Sequence, residues 1–348
     1  MRVISTRRKR SLMDNEYKIV KYTEDREKEW DDFIANESLN GTFLQSRNFL
    51  NYHPQGRFVD ASYMVYDTKK HLVAVCPACE KYENGLKTLY SHSGSTYGGI
   101  IISQSILKAV KLVDMVKQLE TIWITDEYEG VVLKQTPDLF CRETMSSLQY
   151  VLYYLGYQEE KELNLYIDLE KCSDDILQDF SHGKRENIRN CFKHNLSCRP
   201  LTSIQEIAEF HHLLEVTLIK YGKKPVHTVE ELFDFQEYRL HDKCQLFGVF
   251  SEDNQMLAGA MMFYFNNLRI AHSQYLCADP DYNALSPMSF AYYSMIAEMK
   301  KRNYRILSWG ISTDQGGRYL NVGLTANKES FGSKCSINST YIKKLTVE

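Results

Sequence analysis

Apolar residues recur along this chain at two spacings: the 3.6-residue repeat of amphipathic helices and the alternating or unbroken runs of strands. They are densest between Leu257 and Gly332. There, Leu257–Phe265 and Leu268–Leu276 are apolar runs joined at Asn266-Asn267, which predicts a hairpin. A polar loop closed by Ser286-Pro287 follows, then a helix from about Met288, a buried strand over Arg305–Ser312, and a Gly-rich polar segment ending in Lys328. Upstream, Asp25–Ala35 places Trp30, Phe33 and Ile34 on one helical face, and Phe43–Tyr52 reads as a second short helix or turn. Asp60–Asp67, Leu72–Cys79 and Leu86–His92 read as strands, the last running into the loop Ser91–Gly99. Ser105–Glu120 is predicted as a helix buried through Ile106, Leu107, Val110, Val113, Val116 and Leu119. Ile122–Ile124 and Gly130–Leu133 read as short strands, and Glu143–Leu155 as a helix. A strand at Leu163–Leu169 then leads to a basic helix within Ser181–Leu196, to helices over Ile204–Ile219 and Val229–Leu240, and to a β-rich tract from Gln245.

The two halves repeat one order: helices, three antiparallel strands, a polar loop, a long helix, a strand. Met64–Gly99 lines up with Gly248–Asn283 at an offset of roughly 180–185 positions, a duplicated domain rather than a solenoid, whose repeats are about 20–50 residues long. The expected fold is α/β with mixed sheets in two tandem units, 16–165 and 166–348, after a disordered leader over 1–15. At 348 residues, two cores of ordinary size are also what length predicts.

Composition narrows the class without naming a reaction. The chain is 43% hydrophobic and 25% charged, as soluble globular proteins are. A net charge of -3 argues against a dedicated nucleic-acid binder, and no apolar run reaches the roughly 18 residues of a membrane span. The basic start lacks an apolar segment of the secretory kind, so a cytoplasmic location is expected. Nine cysteines without framework spacing fit reduced thiols. Cys76-Pro77-Ala78-Cys79 lies inside an apolar strand-like run with no second ligand pair, so it reads as core and no metal is expected.

Several groups carry candidate chemistry. In Ser91–Gly99, Ser91, His92, Tyr97, Gly98 and Gly99 offer polar groups and close backbone approach to a ligand, although a glycine-bearing turn after a strand needs none. Lys184, Arg185 and Arg189 share one short helix at the junction of the halves, with Lys224 and His227 in a second basic loop; a basic face also serves simply as solvated surface. Strand alternation sends His272 and Gln274 to one face and Ser273 and Tyr275 to the other, with His272 and Tyr275 as catalytic candidates. Asn283 and Ser286 precede a helix whose N-terminus attracts anions, Ser286 reading as N-cap and Pro287 as first helical residue. Lys328 has the chemistry to stabilise an oxyanion or bind a phosphate. No nucleophile elbow, zinc-protease motif or glycosidase carboxylate pair is present.

Taken in order, GTFLQSRNFLNYHPQGRFVDASYMVYD, the PA of CPACE, SHSGSTYGG, KRENIRNCFKHNL, KKPVHTVEEL and NVGLTANKESFG resemble the tandem GNAT-like proteins of the Fem-type superfamily, the peptidoglycan bridge-forming aminoacyltransferases and their bacterial acetyltransferase-like relatives. The resemblance runs from about Tyr17 to the C-terminus and rests on the order of loose motifs. It implies two GNAT-like domains with a groove between them, no covalently bound cofactor, and acyl-CoA or aminoacyl-tRNA as donor. The acceptor it implies is an amine on a small-molecule or lipid-linked precursor. It places Lys328 where a lysine assists the tetrahedral intermediate, and Lys184, Arg185 and Arg189 where phosphates of the acceptor bind. Two departures stand out: Ser308-Trp309-Gly310 replaces an Asp-Phe-Gly, and Asp281–Pro287 lacks the Gly-rich pyrophosphate loop of CoA-using acetyltransferases. No heptad pattern marks a helical hairpin arm. Alternatives are an acyl-CoA-dependent N-acetyltransferase of polysaccharide synthesis and a non-catalytic binding protein on the same scaffold.

Overall fold

The structure, a computed structural model, describes residues 17–54, 56–83, 85–219 and 222–346; the expected leader lies outside them. In the first half β1 (Tyr17–Lys21), β2 (Tyr63–Asp67), β3 (Leu72–Cys76), β4 (Cys79–Glu83) and β5 (Leu86–Ser91) precede helix α1 (Ala109–Thr125) and β6 (Gly130–Lys134). β7 (Gln158–Asp168) opens the second half. It continues with α2 (His182–Lys193), β8 (Ser197–Pro200), α3 (Ile204–Ile219), β9 (Cys244–Phe250), β10 (Met256–Phe265) and β11 (Ile270–Ala278). Last come α4 (Pro287–Lys301), β12 (Ile306–Ile311), α5 (Val322–Glu329) and β13 (Lys334–Lys344).

Each half contains a strand, a long helix and a second strand that returns parallel to the first: β5–α1–β6 and β11–α4–β12. This is the duplication legible in the sequence. The last parallel-paired residues of the two copies, Ser91 and His272, are equivalent points. An eleven-stranded sheet joins the halves in the order β8–β9–β10–β11–β12–β7–β13–β6–β5–β4, with Val59–Asp60 at the edge. The final strand β13 enters between β6 of the first half and β7, so the C-terminus stitches the two units together. β7 itself runs through position 165, where the expected boundary falls.

Local chemistry explains the departures from the predicted elements. The apolar run Leu72–Cys79 is broken at Pro77, which has no N–H for a ladder; β3 lies in a separate four-stranded sheet with β1, β2 and Ile101–Ile102, while β4 belongs to the large sheet. Helix α1 starts later than predicted and continues through Ile122–Ile124, which is not a strand. Its buried stripe is Leu112, Met115, Val116, Leu119 and Trp123, so Trp123 extends the repeat, whereas Val110 is 76% exposed. Strand β13 was not predicted, because only Tyr341 among its residues is buried and its other positions are polar or half-exposed. Cys76 and Cys79 are both buried free thiols.

Candidate functional site

The site forms where two parallel strands part. β11 and β12 pair only through Ile270–Ile306, Ala271–Leu307 and His272–Ser308. Beyond that point each strand bulges. Between Met261 and Met262 the register of β10 on β11 shifts so that Gln274 has no partner, and between Ser308 and Gly310 the register of β12 on β7 skips Trp309. Gly310 adopts φ +74°, a left-handed conformation that favours glycine. The bulge overturns the alternation expected for β11: His272, Ser273 and Gln274 all line one cavity of about 270 Å³. Its other walls are Thr96 and Tyr97, Lys134 and Gln135, Glu162, Trp309–Ile311 and Asn338–Thr340, so both halves contribute.

Lys328 lies directly behind this cavity. Asn321 caps α5 by accepting the Leu324 N–H at 3.0 Å, and the helix carries Lys328 in its last turn into the gap between the strands. Its Nζ donates to the carbonyls of Gly310 (3.1 Å) and Ile311 (2.9 Å), both cavity residues, and the side chain is 3% exposed. Burial pulls its pKa down to about 7. When protonated, the ammonium keeps a third N–H beyond those two bonds.

His272 is held neutral. Burial, followed by the nearby Lys328, pulls its pKa down to about 3. Ser308 Oγ donates to Asn164 Oδ1 at 3.1 Å and has one proton, so the 3.1 Å contact from His272 Nδ1 to Ser308 Oγ assigns the ring proton to Nδ1. Nε2 is then the acceptor. Asn164 is fixed in turn by donating to Ser336 Oγ at 2.9 Å.

The first-half loop is built as a wall. Gly99 N–H donates to Ser91 Oγ at 2.6 Å, and Gly98 N–H to the Lys134 carbonyl at 2.8 Å. A Cβ on Gly98 would stand 2.5 Å from the Ser91 carbonyl oxygen, and one on Gly99 (φ +78°) 2.5 Å from Gln135 Oε1. Both glycines thus permit the loop to fold against β6. His92 is buried, its Nδ1 accepting the Gly94 N–H at 3.0 Å, with its pKa pulled down to about 4 by burial. Tyr97 packs on Phe140 and reaches the cavity.

The remaining predicted residues divide. Lys184 Nζ donates to Asn327 Oδ1 (2.7 Å) and Ser289 Oγ (3.4 Å), placing it between the first turn of α4 and α5, one residue from Lys328 along the chain. Its pKa is lowered by burial. Asn283 and Ser286 precede α4, and Pro287 is its first residue as predicted. Ser286 is left-handed (φ +56°) and its side chain makes no capping bond, contrary to the expectation. Arg189 pairs with Glu186, Arg185 is half-buried and Lys224 is exposed; none of the three lines the cavity. Tyr275 also lies off the cavity. Its hydroxyl meets His227 Nδ1 at 2.8 Å, and His227 Nε2 meets the Tyr52 hydroxyl at 3.0 Å, a chain linking the halves. Sequence reading missed Lys134, Gln135, Glu162 and Asn338, which converge only once β6, β13 and β7 are neighbours. A second cavity of about 360 Å³, against Phe43, Leu240 and Phe265, contains none of the predicted site residues.

No protein-family model matches the chain, and no curated protein matches its sequence. Solved structures do. A crystal structure of FemX is similar over 93% of this chain and 96% of its own, with TM-score 0.66 and 13% identity. L-PGS from Bacillus licheniformis is similar over 94% of both chains, with TM-score 0.58 and 11% identity. A tandem GNAT protein from the clavulanic acid biosynthesis pathway is similar over 96% of this chain and all of its own, with TM-score 0.56 and 9% identity. The chain is built, across nearly its whole length, on the Fem-type tandem GNAT-like fold with mixed sheets.

Proposed function

We propose that this protein is an acyl- or aminoacyltransferase that acylates an amine acceptor, a peptidoglycan precursor or a cell-surface amino sugar. The observation that carries the reading is Lys328, a buried ammonium set behind a cavity at the parting of two strands, with a donor left over after it binds two backbone carbonyls. Charge that develops on a carbonyl oxygen in a water-poor site is stabilised best by such a fixed donor. Direct attack by the acceptor amine needs positioning and oxyanion stabilisation, and no covalent nucleophile. The first unit, 16–165, supplies one wall through Thr96 and Tyr97, and the second, 166–348, supplies Lys328 and His272.

The donor carries phosphate in either form considered, acyl-CoA or aminoacyl-tRNA. Lys184, beside Ser289 in the first turn of α4, is the cation nearest that helix end, with Asn283 and Ser286 at its entrance. Pro287 removes one N–H from the helix start, and Pro280–Leu285 is a 3-10 turn rather than a glycine loop, which favours a donor other than acetyl-CoA. Among the described residues no helix is long and apolar enough to cross a membrane, and we assign the reaction to the cytoplasm. The test pairs donors with one variant. CoA thioesters and charged tRNAs are offered with amino-sugar and peptidoglycan-precursor acceptors, using wild type and Lys328→Ala. Transfer by the wild type and its loss in the variant is the expected result; transfer at wild-type rate by the variant sinks the assignment.

A further inference from the structure

The cavity has a charged floor that the site described above leaves unused. Lys134 at the end of β6 and Glu162 on β7 both line it, and both also line a neighbouring hollow of about 300 Å³ together with Glu83, Glu160 and Thr340. Cross-strand register explains the arrangement. Thr340 of β13 is opposite Lys134 on one side and Glu160 on the other, while Asn338 is opposite Glu162. Residues two apart on a strand share a face, so Lys134, Asn338, Thr340, Glu160 and Glu162 project from one side of the sheet. Lys134 and Glu162 are separated by the width of β13, roughly 10 Å between strand axes.

Among the described residues, neither side chain makes a hydrogen bond, and neither forms an ion pair within 4.0 Å. Each still feels the other's charge. Glu162 is the one carboxylate that lines the cavity beside the parted strands. Buried polar atoms without hydrogen-bond partners lie around the same space. Both amide atoms of Gln135, which is 7% exposed, and Nε1 of Trp309 have none, and Tyr97 OH and Asn338 Oδ1 lie close together without forming a proper bond. Buried polar groups are ordinarily satisfied, and four such residues on one cavity indicate a polar ligand. A cation and an anion facing each other across a gap, each short of close partners, fit a molecule carrying both charges.

We propose that Glu162 receives the acceptor's ammonium group and takes its proton, while Lys134 holds an anionic group of the same molecule, so that the acceptor is a zwitterionic primary amine. This rests on the acyl-transfer reading for its chemistry, though not for its binding. The carboxylate removes one proton from the ammonium, and the freed lone pair attacks the donor carbonyl. An N–C bond forms and the carbonyl electron pair moves to oxygen. When the intermediate collapses, the C–S or C–O bond to the donor breaks, the leaving group takes the second proton from nitrogen, and Glu162 returns its proton to solvent. Burial raises the pKa of Glu162, with Glu160 and Asp314 raising it further and Lys134 opposing them, as suits a group that must accept a proton near neutrality.

The experiment measures acceptor binding without any donor, by calorimetry or ligand-observed NMR on the full chain. The probes are 4-aminobutyrate, butylamine and butyrate, which share a carbon skeleton. Expected for wild type is 4-aminobutyrate binding at least about tenfold more tightly than either relative, equivalent to about 1.4 kcal/mol. Glu162→Gln should abolish binding of both amines, and Lys134→Met should reduce 4-aminobutyrate to the level of butylamine. Glu162→Asp, which keeps the charge, guards against a variant that fails to fold. Equal binding of the three probes by wild type, binding by none, or an unchanged preference in Glu162→Gln overturns the proposal. Lys328→Ala separates the two readings, because it should lose transfer while keeping the preference. If transfer occurs without the zwitterion preference, this inference alone falls; if the preference holds and no donor supports transfer, the inference stands and the acyl-transfer reading falls.

Discussion

Replacing Lys328 by methionine tests the site through two independent readouts. The lysine's pKa is pulled from an ordinary 10.5 to about 7, with burial as the cause. Between those values the unfolded chain holds a proton that the folded protein does not, so wild-type stability rises with pH. The cost of the buried charge is fully present below pH 7 and has gone above about 10.5, with a slope of at most about 1.4 kcal/mol per pH unit. From pH 7.5 to 9.0 this comes to about 2 kcal/mol, gained by wild type and not by Lys328→Met. Against it stand the Gly310 and Ile311 carbonyls, which lose their donor at about 1–3 kcal/mol each. Urea unfolding at both pH values should therefore show the variant falling further behind wild type at the higher pH. In the transfer assay, loss of a preorganised donor predicts a fall of about 100- to 1,000-fold in kcat. The wild-type rate should fall as pH rises through about 7, because the ammonium is the working form. A variant with the same pH slope of stability as wild type would falsify the buried-charge argument, and one with wild-type kcat would refute the catalytic role.

Other regions give shorter predictions. Burial lowers the pKa of His227 from 6.5 to about 4, so the unfolded chain takes up a proton first and stability drops as pH falls below 6.5; His227→Gln should remove up to about 3 kcal/mol of that acid sensitivity, read by urea unfolding at pH 7 and 5. Gly99→Ala forces a side chain into a left-handed position against Gln135 Oε1, and a Tm drop matching a loss of about 1–3 kcal/mol is expected; an unchanged Tm would mean the loop is not built against β6 as described. Arg47 is fully buried between the Tyr22 and Trp30 rings and paired with Asp60, so Arg47→Ala should destabilise by about 3 kcal/mol or more in chemical denaturation, whereas Arg47→Lys should recover part of the charge and little of the stacking.

What was legible in the sequence follows from the range over which each signal acts. The β11 hairpin, α4 and β12 show in apolar runs and periods a few residues long, and the duplication shows because both copies keep the same order of such runs. Lys328 was nameable because it sits in a recognisable stretch near the end of the chain. The geometry that gives it a role was not, since that depends on where β11 and β12 stop pairing. Nothing in the letters SWGI marks Trp309 as the residue skipped in the ladder, although Gly310 with its positive φ was a visible hint. The same bulging defeated strand alternation at Tyr275. One unpaired residue, Gln274, shifts the face of everything after it, and the hydroxyl ends on His227 rather than at the cavity.

The acceptor floor was hidden for a different reason. Lys134, Glu162 and Asn338 come from three strands separated by long stretches of chain, and β13, which brings them together, carries too little apolar character to announce itself. That weakness is itself informative. A strand inserted at the centre of an eleven-stranded sheet is expected to be apolar on both faces, as β10 is, with every residue buried. β13 instead presents Asn338 and Thr340 to a cavity, and Asn338 Oδ1 is left without a hydrogen bond there. A central strand that keeps polar, incompletely satisfied side chains lowers the stability of the join between the two halves. The physical account that fits is a join kept open for a polar ligand, and filling it should stiffen the two halves against each other. Binding of 4-aminobutyrate should therefore slow hydrogen exchange at the amides of β13 and β6 while leaving β1–β3, in the separate sheet, unaffected; equal protection of both sheets would point to global stabilisation instead.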